Sequence, residues 1–246
     1  MTRLGSTVIA ITVAATAGCT LSACSDDTGG DIDAAVDAPV DVAIDTPDGP
    51  CGAGYQMTGE YIDWESPTLM GFDGVEDSVW TMTTPPNTSA TTAPNGRVII
   101  CLPRETVRLT VTRTATTGPG PYVGAIFVAD PAVLASSGAS FSARGLRVAA
   151  ADTSYGAIVS KMTFDATRAH VFVHKRGAPT AVTLGAQASY VSDGDNDTTW
   201  EAGASGTFVL FPNVPVGNGT ATLGGTFTGP TSIPLQANTF TIVPIS

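Results

Sequence analysis

From Cys51 onward, apolar and polar positions alternate in short runs, and Gly, Pro, Asn and Ser separate the runs. That spacing is the mark of strands joined by tight turns. Candidate strands cover 55–62, 79–83, 97–102, 106–113 and 122–128, then 170–174, 182–191, 207–211, 219–228 and 239–245. In Val107-Arg108-Leu109-Thr110-Val111-Thr112 every second side chain is apolar, so one face turns inward and the other meets water. One short helix is predicted, with Asp130 as N-cap, Pro131 at its first position and 132–135 following. The stretch 136–165 shows no clear period. The pattern as a whole predicts antiparallel β-sandwich structure.

The front of the chain is patterned differently. Arg3 precedes an apolar stretch, 4–17, that is shorter than the roughly 20 residues needed to span a bilayer. A charged start and a short apolar middle have the form of a secretory signal. The stretch runs into Leu21-Ser22-Ala23-Cys24, which resembles the cleavage box of bacterial lipoproteins: an aliphatic residue, two small ones, then Cys. The resemblance implies cleavage after residue 23 and acylation of Cys24. Ala17-Gly18-Cys19 is a second candidate, with Thr16 where the box has Leu, and a plain secretory signal is the alternative to both.

Residues 25–50 hold eight Asp and no basic residue, and Asp33, Asp37, Asp41 and Asp45 recur at every fourth position. On a helix those carboxylates would repel at i,i+4, and Pro39 and Pro47 would break it. A self-repelling disordered tether is expected. Its rival, a calcium-collecting strip, lacks a preformed cage of oxygens.

The formal charge of -11 lies mostly in that tether, and no basic stripe exists for a phosphate backbone, which excludes nucleic acid as a partner. The 27 Gly and 17 Pro suit turns rather than helices. Beyond the signal region stand only Cys51 and Cys101. In an exported chain an even pair reads as a disulfide, here stapling the start of the folded body to a central strand of the first sandwich. Two unbonded thiols are the alternative.

Two segments share a grammar of strand, Gly/Pro turn, strand, and a further Gly-led strand. The first runs through Thr58-Gly59-Glu60-Tyr61-Ile62-Asp63, Ala93-Pro94-Asn95-Gly96-Arg97-Val98-Ile99 and Leu102-Pro103. The second runs through Val171-Phe172-Val173, Gly177-Ala178-Pro179 and Ser205-Gly206-Thr207-Phe208-Val209-Leu210-Phe211, and closes with Asn213-Val214-Pro215-Val216-Gly217. Both resemble carboxypeptidase regulatory-like modules, the small prealbumin-like (transthyretin-like) sandwiches of exported bacterial proteins. The first departs from the pattern at Arg104-Glu105, the second at Asn218-Gly219. The resemblance implies an all-β fold with two Greek-key prealbumin-like sandwich modules, 51–115 and 168–246. Between them lies a connecting segment, 116–167, and before them a signal peptide, 1–23, and the acidic tether, 24–50.

Chemistry-bearing motifs are scarce. His170 and His174 sit on one face of a predicted strand about 13 Å apart, too far to share an ion. There is no nucleophile elbow, phosphate loop or His-x-x-Glu element. Asp63 and Glu65 read as solvated carboxylates at a strand end. Asp193, Asp195 and Asp197 alternate on a Gly/Asn loop as in a calcium loop, but Thr198 and Ala204 stand where such a loop needs Gly and Glu. The bland reading is a polar hairpin tip, so no cofactor is expected, with calcium the one candidate. Trp64 and Trp200, each beside a Glu, are candidates for stacking on a glycan, or for ordinary packing. The expectation is a non-catalytic, lipid-anchored envelope protein, sorted to the outer membrane by Ser25 after the lipid Cys. Its partners would be the membrane, through the N-terminal lipid, and an envelope protein or polysaccharide. The alternative is a carbohydrate-binding accessory lipoprotein.

Overall fold

In a computed structural model of the chain, the described residues are 51–64, 74–82, 88–116, 120–136, 138–150, 163–177, 180–192 and 200–246. Alternation and turn residues set the first strands among them, β1 (Tyr55–Asp63), β2 (Val79–Met82), β3 (Ser89–Thr91), β4 (Arg97–Leu102), β5 (Val107–Thr112) and β6 (Gly124–Ala129). Helix α1 (Pro131–Ser136) follows, and then β7 (Ser140–Gly145). The second half supplies β8 (Ala169–Lys175), β9 (Val182–Thr183), β10 (Tyr190–Ser192), β11 (Glu201–Ala202) and β12 (Phe208–Val214). It ends with β13 (Thr220–Thr222), β14 (Gly224–Gly225), β15 (Ser232–Pro234) and β16 (Thr239–Ile245).

The expected all-β architecture is observed. β5 alternates buried and exposed residues along its whole length, as its sequence predicts. Helix α1 starts where expected, and the Ala132 amide donates to Asp130 Oδ1 at 2.9 Å. The predicted strand 182–191 is instead two short strands, β9 and β10, parted by a turn in which Gly185 has φ +55°. The predicted strand 219–228 likewise breaks into β13 and β14. β7 forms within the stretch that shows no period.

Nine strands make one sheet, in the order β11-β10-β12-β8-β16-β6-β5-β2-β3. It draws strands from both segments expected to be separate modules, and the described residues all fall within one compact unit. The seam is β16, which pairs in parallel with β6 on one side and with β8 on the other. Purely antiparallel pairing is therefore not what forms: β16 lies between its two neighbours in the same direction as both, and β1 pairs with β7 in parallel as well.

A second sheet, β4-β1-β7, covers one face of the nine-stranded sheet. Between them lie Met57, Tyr61, Ile100 and Phe141 from the small sheet, and Trp80, Leu109, Phe127, Phe172, Phe208 and Phe240 from the large one. The opposite face of β8, β12 and β16 carries Val171, Val173, Val209, Phe211, Val243 and Ile245, packed with Val182, Leu223 and Ile233 around the two-stranded pairs β9-β14 and β13-β15. Strands β8, β12 and β16 are thus buried on both faces, and every residue of β16 is buried. This is why alternation is lost in Val171-Phe172-Val173, Phe208-Val209-Leu210-Phe211 and Ile242-Val243.

Two local features follow from this packing. A Cβ on Gly59 would lie 2.1 Å from Cζ of Phe141, so only glycine lets that ring lie across β1. In β12 the register with β8 shifts between Phe211 and Val214. Asn213 occupies that bulge with φ +50°, donating from Nδ2 to the Thr163 carbonyl at 2.9 Å and accepting the Asp165 amide on Oδ1 at 3.1 Å. Pro212 brings no amide hydrogen, so it suits a place where the ladder is broken.

Cys51 and Cys101 are bonded, with Cα atoms 5.2 Å apart. The expected staple is present, but Cys101 lies on β4, an edge strand of the small sheet, rather than on a central strand. Closing a loop of sequence separation 50 stabilises the fold by roughly 4 kcal/mol on the chain-entropy model. Iodoacetamide added after unfolding without reductant should label neither thiol, and Cys101→Ser should lower the melting temperature by several degrees. Because Phe172, Phe208 and Phe240 complete the core of the first half, unfolding should be a single transition. Tryptophan fluorescence and far-UV circular dichroism should coincide along a denaturant titration; two resolved transitions would show that the halves fold separately.

Candidate polar cleft at the edge of the small sheet

The parallel register of β1 and β7 sets Thr58 beside Ser140 and Glu60 beside Ser142. The alternate residues Phe141 and Ala143 go into the core, which leaves the hydroxyls and the carboxylate facing away from it. The end of β8 brings His174 and Arg176 to the same place. Together Thr58, Glu60, Ser140, Ser142, His174 and Arg176, with Phe141, line a cavity of about 200 Å³. Arg176 Nη2 donates to Ser140 Oγ at 3.2 Å, tying the two sides together. The His174 ring packs on Phe208 with centroids 4.7 Å apart. Burial pushes its pKa down to about 4, and the nearby Arg176 and Arg144 guanidinium groups push the same way, so the imidazole is neutral near pH 7.

The described residues also line two larger hollows, of about 330 and 370 Å³. One surrounds the disulfide and Pro103, the other Leu184, Val214 and Leu235, and neither gathers carboxylate, guanidinium and imidazole together. Convergent polar groups are what give a binding site its orientation, and on that ground the cleft beside β7 is the candidate.

The residues singled out from sequence are placed as follows. Trp64 and Trp200 do come together, with ring planes 8° apart and centroids 6.1 Å apart. Trp64 is only 5% exposed, and its remaining surface meets Phe172 and Phe240 at 5.5 and 5.3 Å. The two indoles stack on each other, with Trp64 in the core and Trp200 partly buried against it, so Trp64 has no free face and Trp200 has one face covered. His170 and His174 share a face of β8 as expected, but meet different surroundings. His170 stacks on Phe164 and Phe240 at 4.4 and 5.2 Å and accepts the Asn213 amide on Nδ1 at 3.4 Å. Burial lowers its pKa to about 4, with Asp165 opposing the shift.

Asp63 is not solvated at a strand end but 4% exposed. Its Oδ2 accepts Arg147 Nε at 2.6 Å and also the Tyr122 hydroxyl. Burial and this carboxylate raise the Tyr122 pKa well above the ordinary phenol value. Two partners far along the chain make the carboxylate tolerable inside, a pairing no local pattern could reveal. Cys24, the tether, Glu65 and the loop of Asp193, Asp195 and Asp197 lie outside the described residues.

Sequence reasoning did not single out Glu60, Ser140, Ser142 or Arg176. The one available signal was a polar residue at every second place in Thr58-Gly59-Glu60 and Ser140-Phe141-Ser142, which matters only once β1 and β7 are known to be paired.

No family model matches the chain, and no curated protein matches it. Among solved structures it is similar to the Bacillus anthracis TIE protein, with 11% identity and a TM-score of 0.24, over 78% of this chain and 34% of that one. The chain spans about a third of the length of that structure.

The two buried imidazoles generate a pH dependence. Both have folded pKa values depressed from 6.5 to about 4, so the unfolded chain binds protons that the folded one refuses. Stability is complete above pH 6.5 and falls as the pH drops toward 4, by at most about 1.4 kcal/mol per pH unit for each histidine. Urea denaturation from pH 7.5 to 4 should show this slope, and His174→Gln should roughly halve it. A profile flat down to pH 4.5 would contradict the burial.

Proposed function

We propose that this chain is a lipid-anchored, non-catalytic protein of the bacterial cell envelope, whose β-sandwich body serves binding or adhesion. The observation that carries the reading is the Cys51–Cys101 bond at the first residue of the body. Such bonds persist in oxidising, extracytoplasmic compartments. The apolar stretch 4–17 and the Leu21-Ser22-Ala23-Cys24 box support export and acylation at Cys24, and several acyl chains hold a protein at a membrane where one would not. On this reading residues 25–50 are an acidic spacer between membrane and body, and Ser25 directs the protein to the outer membrane. The body is an all-β sandwich, a scaffold that carries sites on its loops and edges rather than implying a reaction. The scarcity of catalytic motifs supports a binding role.

Expression with radiolabelled palmitate in a bacterium that processes lipoproteins tests the anchor. Label should enter the wild type and be lost in Cys24→Ser, and the wild type should fractionate with the outer membrane. Label kept in Cys24→Ser and lost in Cys19→Ser would move the anchor upstream, and no label in the wild type would overturn it.

A further inference from the structure

We propose that the cleft formed by β1, β7 and the end of β8 is a carbohydrate site that takes one neutral pyranose ring. The inference rests on reading the body as a binding module and is independent of the lipid anchor. The site is distinct from the Trp64–Trp200 pair, whose indoles stack on each other.

The argument is one of donors and acceptors. Glu60 offers a carboxylate, which only accepts, and Arg176 a guanidinium, which only donates. Thr58, Ser140 and Ser142 offer hydroxyls that do both. A ligand that satisfies such a rim must itself donate and accept at neighbouring positions. Vicinal hydroxyls on a sugar ring do this, giving a proton to Glu60 while accepting from Arg176. A small anion would be repelled by Glu60 and a small cation by Arg176. A cavity of about 200 Å³ holds one ring rather than a chain.

Polar capacity is left over for a ligand on the outward side of the small sheet. The Glu60 carboxylate and the Thr58 and Ser142 hydroxyls, all only half-buried, engage no other described side chain.

The test uses the full-length protein in a sugar-free zwitterionic detergent. Methyl glucoside, methyl mannoside, methyl galactoside and N-acetylglucosamine are titrated by saturation-transfer NMR and calorimetry, with phosphate and acetate as parallel arms. At least one pyranoside should bind in the millimolar range. Glu60→Ala should weaken it about tenfold or more, and Ser142→Ala several-fold, without lowering the melting temperature. Trp200→Phe should leave affinity unchanged. The proposal falls if no sugar binds, if binding ignores Glu60→Ala, or if phosphate or acetate binds the cleft in place of sugar. A protein that retains envelope polysaccharide or protein in a pull-down yet ignores all four sugars would lose the cleft assignment alone. One that retains neither would lose the binding-module reading as well.

Discussion

Strands β8, β12 and β16 have apolar side chains on both faces, so neither face can be left to water. Residues such as Phe172, Phe208, Phe240 and Ile242 point one way, and Val171, Val209, Phe211 and Val243 the other. Fully burying one such side chain is worth roughly 1.5–3 kcal/mol, which makes a missing cover on either side costly. The small sheet β4-β1-β7 supplies one cover, and the short pairs β9-β14 and β13-β15 supply the other. The remaining architecture follows from this demand. The first half of the chain has to lie against the second because it is one of the two layers that the central strands require.

Charges inside this body are few, and those present are committed. Asp63 holds Arg147 and the Tyr122 hydroxyl; Arg113 donates to the carbonyls of Glu76 and Ala115; Lys175 donates to the Thr180 carbonyl at 2.6 Å. Asp63, Arg113 and Lys175 are each met by an oppositely charged partner or by backbone, as the cost of an unmatched buried charge demands. The Asp63 cluster also fixes a chain path, because Tyr122 and Arg147 form an isolated bridge that closes the approach to β6 and β7. The cleft differs from these clusters in having side chains, such as Glu60, that no other described side chain takes up.

The cleft and the disulfide sit at opposite edges of the small sheet. The cleft lies along β7, while the disulfide fastens the start of the body to β4, the opposite edge of the same three-stranded sheet. Neighbouring strands are about 4.8 Å apart, so those edges are separated by only about 10 Å. The staple thus holds the start of the body against the same sheet that carries the cleft.

Local pattern alone determined a good deal. Alternation fixed β5, the Asp130-Pro131 pair fixed the start of α1, and short runs bounded by turn residues marked β8, β12 and β16 as strands. The two lone cysteines of the body indicated their own bond. These features depend on near neighbours in the chain, or on there being one possible partner. Only tertiary structure decided that β16 lies in parallel between β6 and β8 and so merges two apparent modules into one sheet, because a strand's direction and neighbours leave no trace in its own period. It also decided that Asp63 goes inside, since Arg147 lies 84 residues away, and that Trp64 and Trp200 cover each other. Glu60, Ser142 and His174 acquire a shared environment for the same reason: β1, β7 and β8 meet through packing, and a sequence records which side chains a strand carries but not which strand it lies against.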